Sequence, residues 1–484
     1  MELPHSRKSA VPTLAALFAA LVLAGCATLS APVTEASAGV AVPPAWSASS
    51  PAGTSATTAS LARWWARFDD PTLTMLIEQA LAANTDVASA KAALRQSRAL
   101  ADVQSARLGP TVDGSASAQR SRSAGTSATN TFRTGFDASW EPDIFGANRA
   151  ASNATALTAQ ASAASLGDVQ VSVAAEVALA YLDLRSGEAR LVIAQNNLAS
   201  QQETLQITQW RVQAGLATSL ESEQARAEVE QTRAQIPALQ KSVALSRHQL
   251  ALLTGRTVAE LSVPQGTALP QMPAELALSF PAETLRQRAD VRAAEVQVGA
   301  AAQDVVQADA ARYPSFSLSG SLGLSALTLG GLTGGGTVAS ALLASVSVPL
   351  FDGGAGKAQV RAQQAALDRA REAHRATVLT ALKDVEDTLV ALARDRERLA
   401  NLQAAAQAAD NAALLARQRY AGGVVDFQTV LTTQRAQLSA QDSVAGASAD
   451  VASDHVRLYK ALGGGWQPDA GIASGRDNTR DSTS

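Results

Sequence analysis

The chain has 484 residues, a formal net charge of −3, 46% hydrophobic residues and only 4% aromatic ones. That balance is neither basic nor acidic enough for a nucleic-acid partner, and small residues at this density suit closely packed helices better than a large mixed core. One cysteine, Cys26, excludes a disulfide framework or a cysteine zinc site within one chain, and His5, His248, His374 and His455 are not at metal-ligand spacing.

At the N-terminus His5, Arg7 and Lys8 form a short basic region, and Val11 to Leu23 is mostly apolar. Leu23-Ala24-Gly25-Cys26 follows. This is a secretory signal, too short for a stop-transfer helix, assigned to residues 1–25. The tetrapeptide resembles a bacterial lipobox, which implies lipid on Cys26. Ala27, where an inner-membrane retention signal would place aspartate, implies the outer membrane. Residues 26–60 read as an Ala-, Ser-, Thr- and Pro-rich extended tether.

The first repeat is read over residues 61–262. It begins at Trp64-Trp65-Ala66-Arg67-Phe68-Asp69-Asp70-Pro71, after which Leu73, Leu76, Ile77 and Ala80, then Val87, Leu94 and Ala101, carry one helical period to about Leu108. Beyond Gly109-Pro110 the period becomes two. Phe132, Thr134, Phe136, Ala138 and Trp140 alternate with Arg133, Gly135, Asp137 and Ser139 in a strand read as 131–140, with a weaker one at 111–121. A helix from about Gly146 to Gln213 comes next, with Val177, Leu184, Leu191, Leu198, Leu205 and Val212 spaced by seven. A seven-residue period held that long is a coiled-coil seam. After the turn Ala214-Gly215-Leu216, a return helix spans about Ser219 to Leu253, and Pro237 inside it predicts a bend.

A proline-bearing linker, Val263 to Phe280, leads to a second repeat over residues 263–466. A helix is read from Ala282 to Ala311, and strands at 316–324 and 338–350 flank a glycine-rich loop. A long helix from about Ala355 to Ala421, the turn at Gly422-Gly423 and a return helix to Leu462 complete it. Residues 467–484 read as a disordered tail. Four strands cannot close a barrel, since the smallest closed bacterial barrels have about eight and open edges are not tolerated in hydrocarbon. The chain must therefore assemble with further copies.

These stretches resemble the TolC-like outer membrane factors, and within them the lipoprotein branch of multidrug (RND-type) efflux systems, the NodT-type outer membrane lipoproteins. The lipobox and the Trp64–Pro71 stretch carry the resemblance, with Trp140-Glu141-Pro142-Asp143-Ile144-Phe145-Gly146, Val348-Pro349-Leu350-Phe351-Asp352-Gly353-Gly354 and Leu458 to Trp466. It implies a mainly α fold with transmembrane β: duplicated long helical hairpins forming a periplasmic tunnel, and four strands per chain in a homotrimeric twelve-strand outer-membrane barrel. It also implies a periplasmic membrane-fusion adaptor and an inner-membrane RND-type pump as partners, contact with outer-membrane lipid, no cofactor beyond the lipid on Cys26, and no catalysis.

The turns Arg211 to Leu216 and Arg419 to Val424 lie 208 positions apart. In the family such turns form the periplasmic tip, so Arg211, Gly215, Leu216, Arg419, Gly423 and Val424 are the expected adaptor-docking residues. Glu221 and Tyr420 match an acid and a tyrosine linked across neighbouring coils in the closed state. The family commonly carries an aspartate ring where this chain has Thr429 and Thr432, with Asp426, Glu221 and Glu223 nearby as other gate candidates.

Competing readings are a phosphate-binding enzyme, a pore-less lipid-anchored coiled-coil scaffold and the outer-membrane component of a type I protein secretion system. Asp352-Gly353-Gly354-Ala355-Gly356-Lys357-Ala358 lacks the first glycine and the Ser or Thr of a phosphate loop. The scaffold leaves the four alternating segments unused.

Overall fold

The computed structural model describes residues 39–47, 54–55, 61–122, 124–125, 127–266, 268–270, 272, 277–278, 281–334 and 337–467. The signal segment, Cys26 and the tail beyond 467 lie outside them, as does most of the tether.

One series of elements occurs twice. In the first half α1 (Pro71–Ala83) and α2 (Thr85–Ala106) lead to β1 (Thr111–Ser121) and β2 (Thr129–Trp140), then to α3 (Ala147–Gln213) and α4 (Ser219–Leu253). In the second, α5 (Pro281–Gln287) and α6 (Ala289–Ala310) precede β3 (Ser315–Ala326), β4 (Thr337–Ser347), α7 (Ala355–Ala421) and α8 (Phe427–Ala461). Each long helix has 67 residues, which at 1.5 Å per residue is about 100 Å. Helix α4 runs through Pro237 unbroken.

Two helices read as single are each divided. Asn84 lies in extended backbone between α1 and α2, where its Oδ1 accepts the N–H groups of Asp86 and Val87, while its amide donates to the Leu253 carbonyl at 2.9 Å. A side chain satisfying a helix start and a neighbouring helix end favours a break that apolar periodicity does not reveal. Arg288, also extended, separates α5 from α6; it reaches Asp290, Asp384 and the Ala461 carbonyl. The strands differ from the sequence reading only at their ends. β4 stops at Ser347 because Pro349 cannot donate to a ladder.

The sheet is antiparallel in the order β1-β2-β3-β4. Its register places Thr134 opposite Ala116 and Leu324, and Leu324 opposite Val338, so the large apolar residues of the four strands, Leu343 excepted, share one face. The other face is polar, with Ser115 donating to Asp137 and Ser317 bonded to Ser345.

The main core is a hub in which Trp64, Phe68, Leu73, Ile77, Val177, Leu184, Val385 and Tyr459 are all buried. Trp64 stacks on Tyr459 with centroids 5.5 Å apart and 14° between planes, and Phe68 meets both edge-on. Asp70 caps α1 through the N–H groups of Thr72 and Leu73 and accepts the Tyr181 hydroxyl at 2.8 Å. The last described residues are fastened to the same hub. Gly465 donates to the Leu61 carbonyl, and Trp466 lies flat against Gly167, where a Cβ would stand 2.5 Å from the indole. The tryptophan pair and the Leu458–Trp466 stretch, remote in sequence, thus form one structure.

Candidate functional site

Both hairpin turns end their long helix in the same way. Leu216 donates to the Arg211 carbonyl and Gly215 to that of Val212; Val424 donates to Arg419 and Gly423 to Tyr420, at 2.7 to 3.0 Å. This is the Schellman pattern, and the residue after the helix cap must take positive φ. Gly215 has φ +72 and Gly423 φ +74. An L side chain there would be strained, which accounts for glycine at both places.

The return helices are capped by different chemistry. Thr218 accepts the Glu221 N–H, while the Glu221 carboxylate accepts the Thr218 N–H at 3.0 Å, a reciprocal capping box. In the second hairpin Asp426 caps α8 by accepting the Thr429 N–H and hydroxyl. The Thr429 hydroxyl first, and its N–H second, hold the Asp426 carboxyl below its ordinary range. Asp426 therefore stays ionised near neutral pH and spends part of its charge on the helix start.

One cluster joins the two turns. Tyr420, 4% exposed, lies among Ala225, Ala416, Phe427, Val430 and Leu431. The Arg211 guanidinium sits 4.6 Å from the Tyr420 ring centroid and donates to the Tyr420 carbonyl at 2.6 Å. The Tyr420 hydroxyl and Arg211 Nε are buried without a partner among the described residues. Arg211 and Tyr420 are thus brought together. Glu221 is not bonded to Tyr420 within the chain; its Oε2 completes the capping box. Glu223, Arg419, Thr429 and Thr432 lie on the surface, and the Thr432 hydroxyl bonds back to the Gln428 carbonyl. Gly215, Leu216, Gly423 and Val424 are exposed, as are Trp210 and Leu220. Trp210 and Leu220 escaped the sequence reading because they lie off the heptad line.

Above the turns, α3 meets α8 through polar groups. Ala194, Asn197, Gln201, Thr204 and Thr208 are buried, whereas Leu191, Leu198 and Leu205 are only half-buried. Gln434 donates to Thr204, Asn197 donates to Gln441, and Arg190 makes a two-pronged pair with Asp442. The Gln201 amide is buried with neither atom bonded. The apparent phosphate loop is a helix cap, because Asp352 accepts the N–H groups of Gly354 and Gly356.

The sheet is the other half of the site. Strands of 11 or 12 residues suit a tilted crossing of a bilayer, and β1 and β4 are edges of the sheet. Their unpaired backbone groups call for strands from other copies.

Residues 76–256 and 280–464 match the family described as Outer membrane efflux protein. The chain is 32% identical over 465 residues to the pyoverdine export outer membrane protein OpmQ of Pseudomonas putida, covering 93% of this chain and 97% of that protein. It is 31% identical over 414 residues to the solvent efflux pump outer membrane protein SrpC of Pseudomonas putida, covering 82% and 86%. The solved outer-membrane channel OprN superposes with a TM-score of 0.80 at 34% identity, over 88% of this chain and 100% of that one.

Proposed function

The chain belongs to the outer membrane efflux protein family, and we propose that this outer-membrane channel is the exit duct of a tripartite system expelling small molecules. Three copies close twelve strands around a pore, and the hairpins continue that pore as a periplasmic tunnel. An adaptor and an inner-membrane RND-type pump dock at the turns containing Gly215 and Gly423 and open them. Lipid on Cys26 anchors each copy to the outer membrane, and the duct passes substrate without transforming it.

The observation that carries this reading is the pair of matching Schellman turns below a four-stranded sheet with free edges. A scaffold would need neither the sheet's apolar face nor its open edges. Pyoverdine and solvents, named for the relatives, are small molecules and support this class over protein secretion.

The test is complementation in a strain lacking its own efflux ducts but supplied with an adaptor and pump. Restored resistance to the pump's small substrates, together with discrete channels in planar bilayers, is expected. Channels that leave susceptibility unchanged with every small-molecule pump tried, yet restore export of a secreted protein, would overturn it.

A further inference from the structure

The two places where a strand pair hands over to a long helix differ in one respect. After β2, Phe145 stacks on Tyr313 with centroids 5.1 Å apart and lies 6.4 Å from Phe316. Tyr313 and Phe316 belong to the segment that opens β3, the next strand along the sheet. In the equivalent junction after β4, the apolar residues Leu350 and Phe351 are both 93% exposed. Among the described residues no further strand follows β4 in the sheet.

Duplication supplies what should stand there. Counting from the proline before each strand pair, Pro110 corresponds to Pro314, so that α2 and α6 both end four residues earlier and β1 and β3 both begin one residue later. Gly109 then occupies the place of Tyr313, and Val112 that of Phe316. Glycine leaves open the volume that the Tyr313 ring fills, and Val112 is 66% exposed. The helices agree. α6 packs along both α3 and α7, whereas α2 packs along α3 and leaves Leu100 and Val103 more than half exposed.

We propose that Leu350 and Phe351 of one copy form an apolar clasp on Leu108-Gly109-Pro110 and Val112 of the next. It covers the last junction of each chain as Tyr313 and Phe316 cover Phe145, and it seats α2 of the next copy along α7. The clasp rests on the reading that the sheet closes with further copies. It adds a point at which each copy recognises the next, beyond the alternation of faces that sets strand register. The site lies within four residues beyond the end of β4 and around the start of β1, so it continues the interface that closure requires.

The test is oxidative cross-linking of the full-length protein in membranes. The variants are Phe351→Cys with Val112→Cys and, as a second pair, Leu350→Cys with Pro110→Cys. Cys26 is present throughout, so each single variant serves as its control. Reductant-sensitive dimers and trimers in a double variant, absent from both of its singles, are the expected result. The size of the unheated, detergent-extracted protein is read in parallel. Trimers in which neither pair cross-links overturn the clasp and leave the duct intact. Trimers in which the thiol introduced by Phe351→Cys instead reacts with a lipid-soluble maleimide give the side chain to the bilayer and also overturn it. Monomers overturn the closure reading, and the clasp with it.

Discussion

Around Trp64 and Tyr459 the helices meet through a large core of stacked and edge-on rings that water does not reach, while at the hairpin turns they meet through a small apolar cluster around Tyr420 together with caps, one guanidinium and, above it, amides. Apolar contacts cannot be exchanged for water without loss, at roughly 25 cal/mol per Å² exposed. Hydrogen bonds between amides can, because water replaces each partner and a typical bond contributes only about 1 kcal/mol net. The middle of each long helix is therefore set in a fixed frame, while its turn end is held by contacts more of which can be traded. A duct opened from its tip needs that division, since the tip must separate while the frame keeps its place.

The sharpest way to break the contrast is to remove the hub's central ring. Trp64→Ala deletes the stack on Tyr459 and is expected to cost about 3–5 kcal/mol, as large-to-small changes of a buried aromatic do. Heat or denaturant unfolding of the extracted protein should show it, with little assembled protein left in the membrane. A loss no greater than that from a change at the turns would mean that the hub is not the fixed frame.

Next in size is an acid effect confined to the hub. His455 is fully buried, receives a hydrogen bond from Arg396 at Nε2, and faces Phe68. Burial first, then Arg396 and Arg67, push its imidazole down to about 4. The folded state therefore binds this proton less readily than the unfolded chain, whose histidine titrates near 6.5. Stability from this group is complete above pH 6.5 and is lost as pH falls towards 4, by about 3 kcal/mol in all. The difference between wild type and His455→Gln isolates it from Asp168, Asp183 and Asp454, which burial shifts upwards. Subtracting the two stability curves should leave a slope between those pH values; a flat difference would rule the histidine out.

Much of this contrast is legible in the sequence. Lengths of 67 residues, heptad spacing and paired glycines predict the rods and turns, and alternation predicts the strands. Val177 and Leu184 of the heptad line are buried in the hub, but beyond them the line that is buried is not legible. Leu191, Leu198 and Leu205 look like the seam, yet within one chain Asn197, Gln201, Thr204 and Thr208 occupy it, since a heptad repeat fixes a period and not the stripe that faces each neighbour. The breaks at Asn84 and Arg288 were hidden for a related reason. Each is fixed by a bond to a helix end far along the chain, at Leu253 and Ala461.

A smaller change sharpens the comparison from the other side. Nothing stands within 4 Å of a Cβ added at Gly215 or Gly423, so alanine at either place meets only backbone strain, about 1–2 kcal/mol. Amides in the last turn of α3 or α7 should exchange with solvent roughly tenfold faster in Gly215→Ala or Gly423→Ala. Hub amides should be unchanged. Faster exchange in both regions would show that frame and tip are one cooperative unit.

The smallest expected change in stability comes from a single oxygen. Tyr420→Phe keeps the ring beside Arg211 and Phe427 and deletes a buried hydroxyl that has no partner among the described residues. Leaving such a group unpaired costs about 1–3 kcal/mol, which a turn of the ring towards a carboxylate at the tip would relieve. Glu221 fits that part, because only Oε2 accepts the Thr218 N–H and Oε1 makes no bond among the described residues. Tyr420→Phe and Glu221→Gln are accordingly expected to raise the resting conductance of the assembled channel in planar bilayers while leaving unfolding of the hub where it was. The double variant should add little beyond either single one, since both remove the same bond. Unchanged resting conductance in both would free the tyrosine from the gate and leave its ring, with Arg211, as packing for the turn.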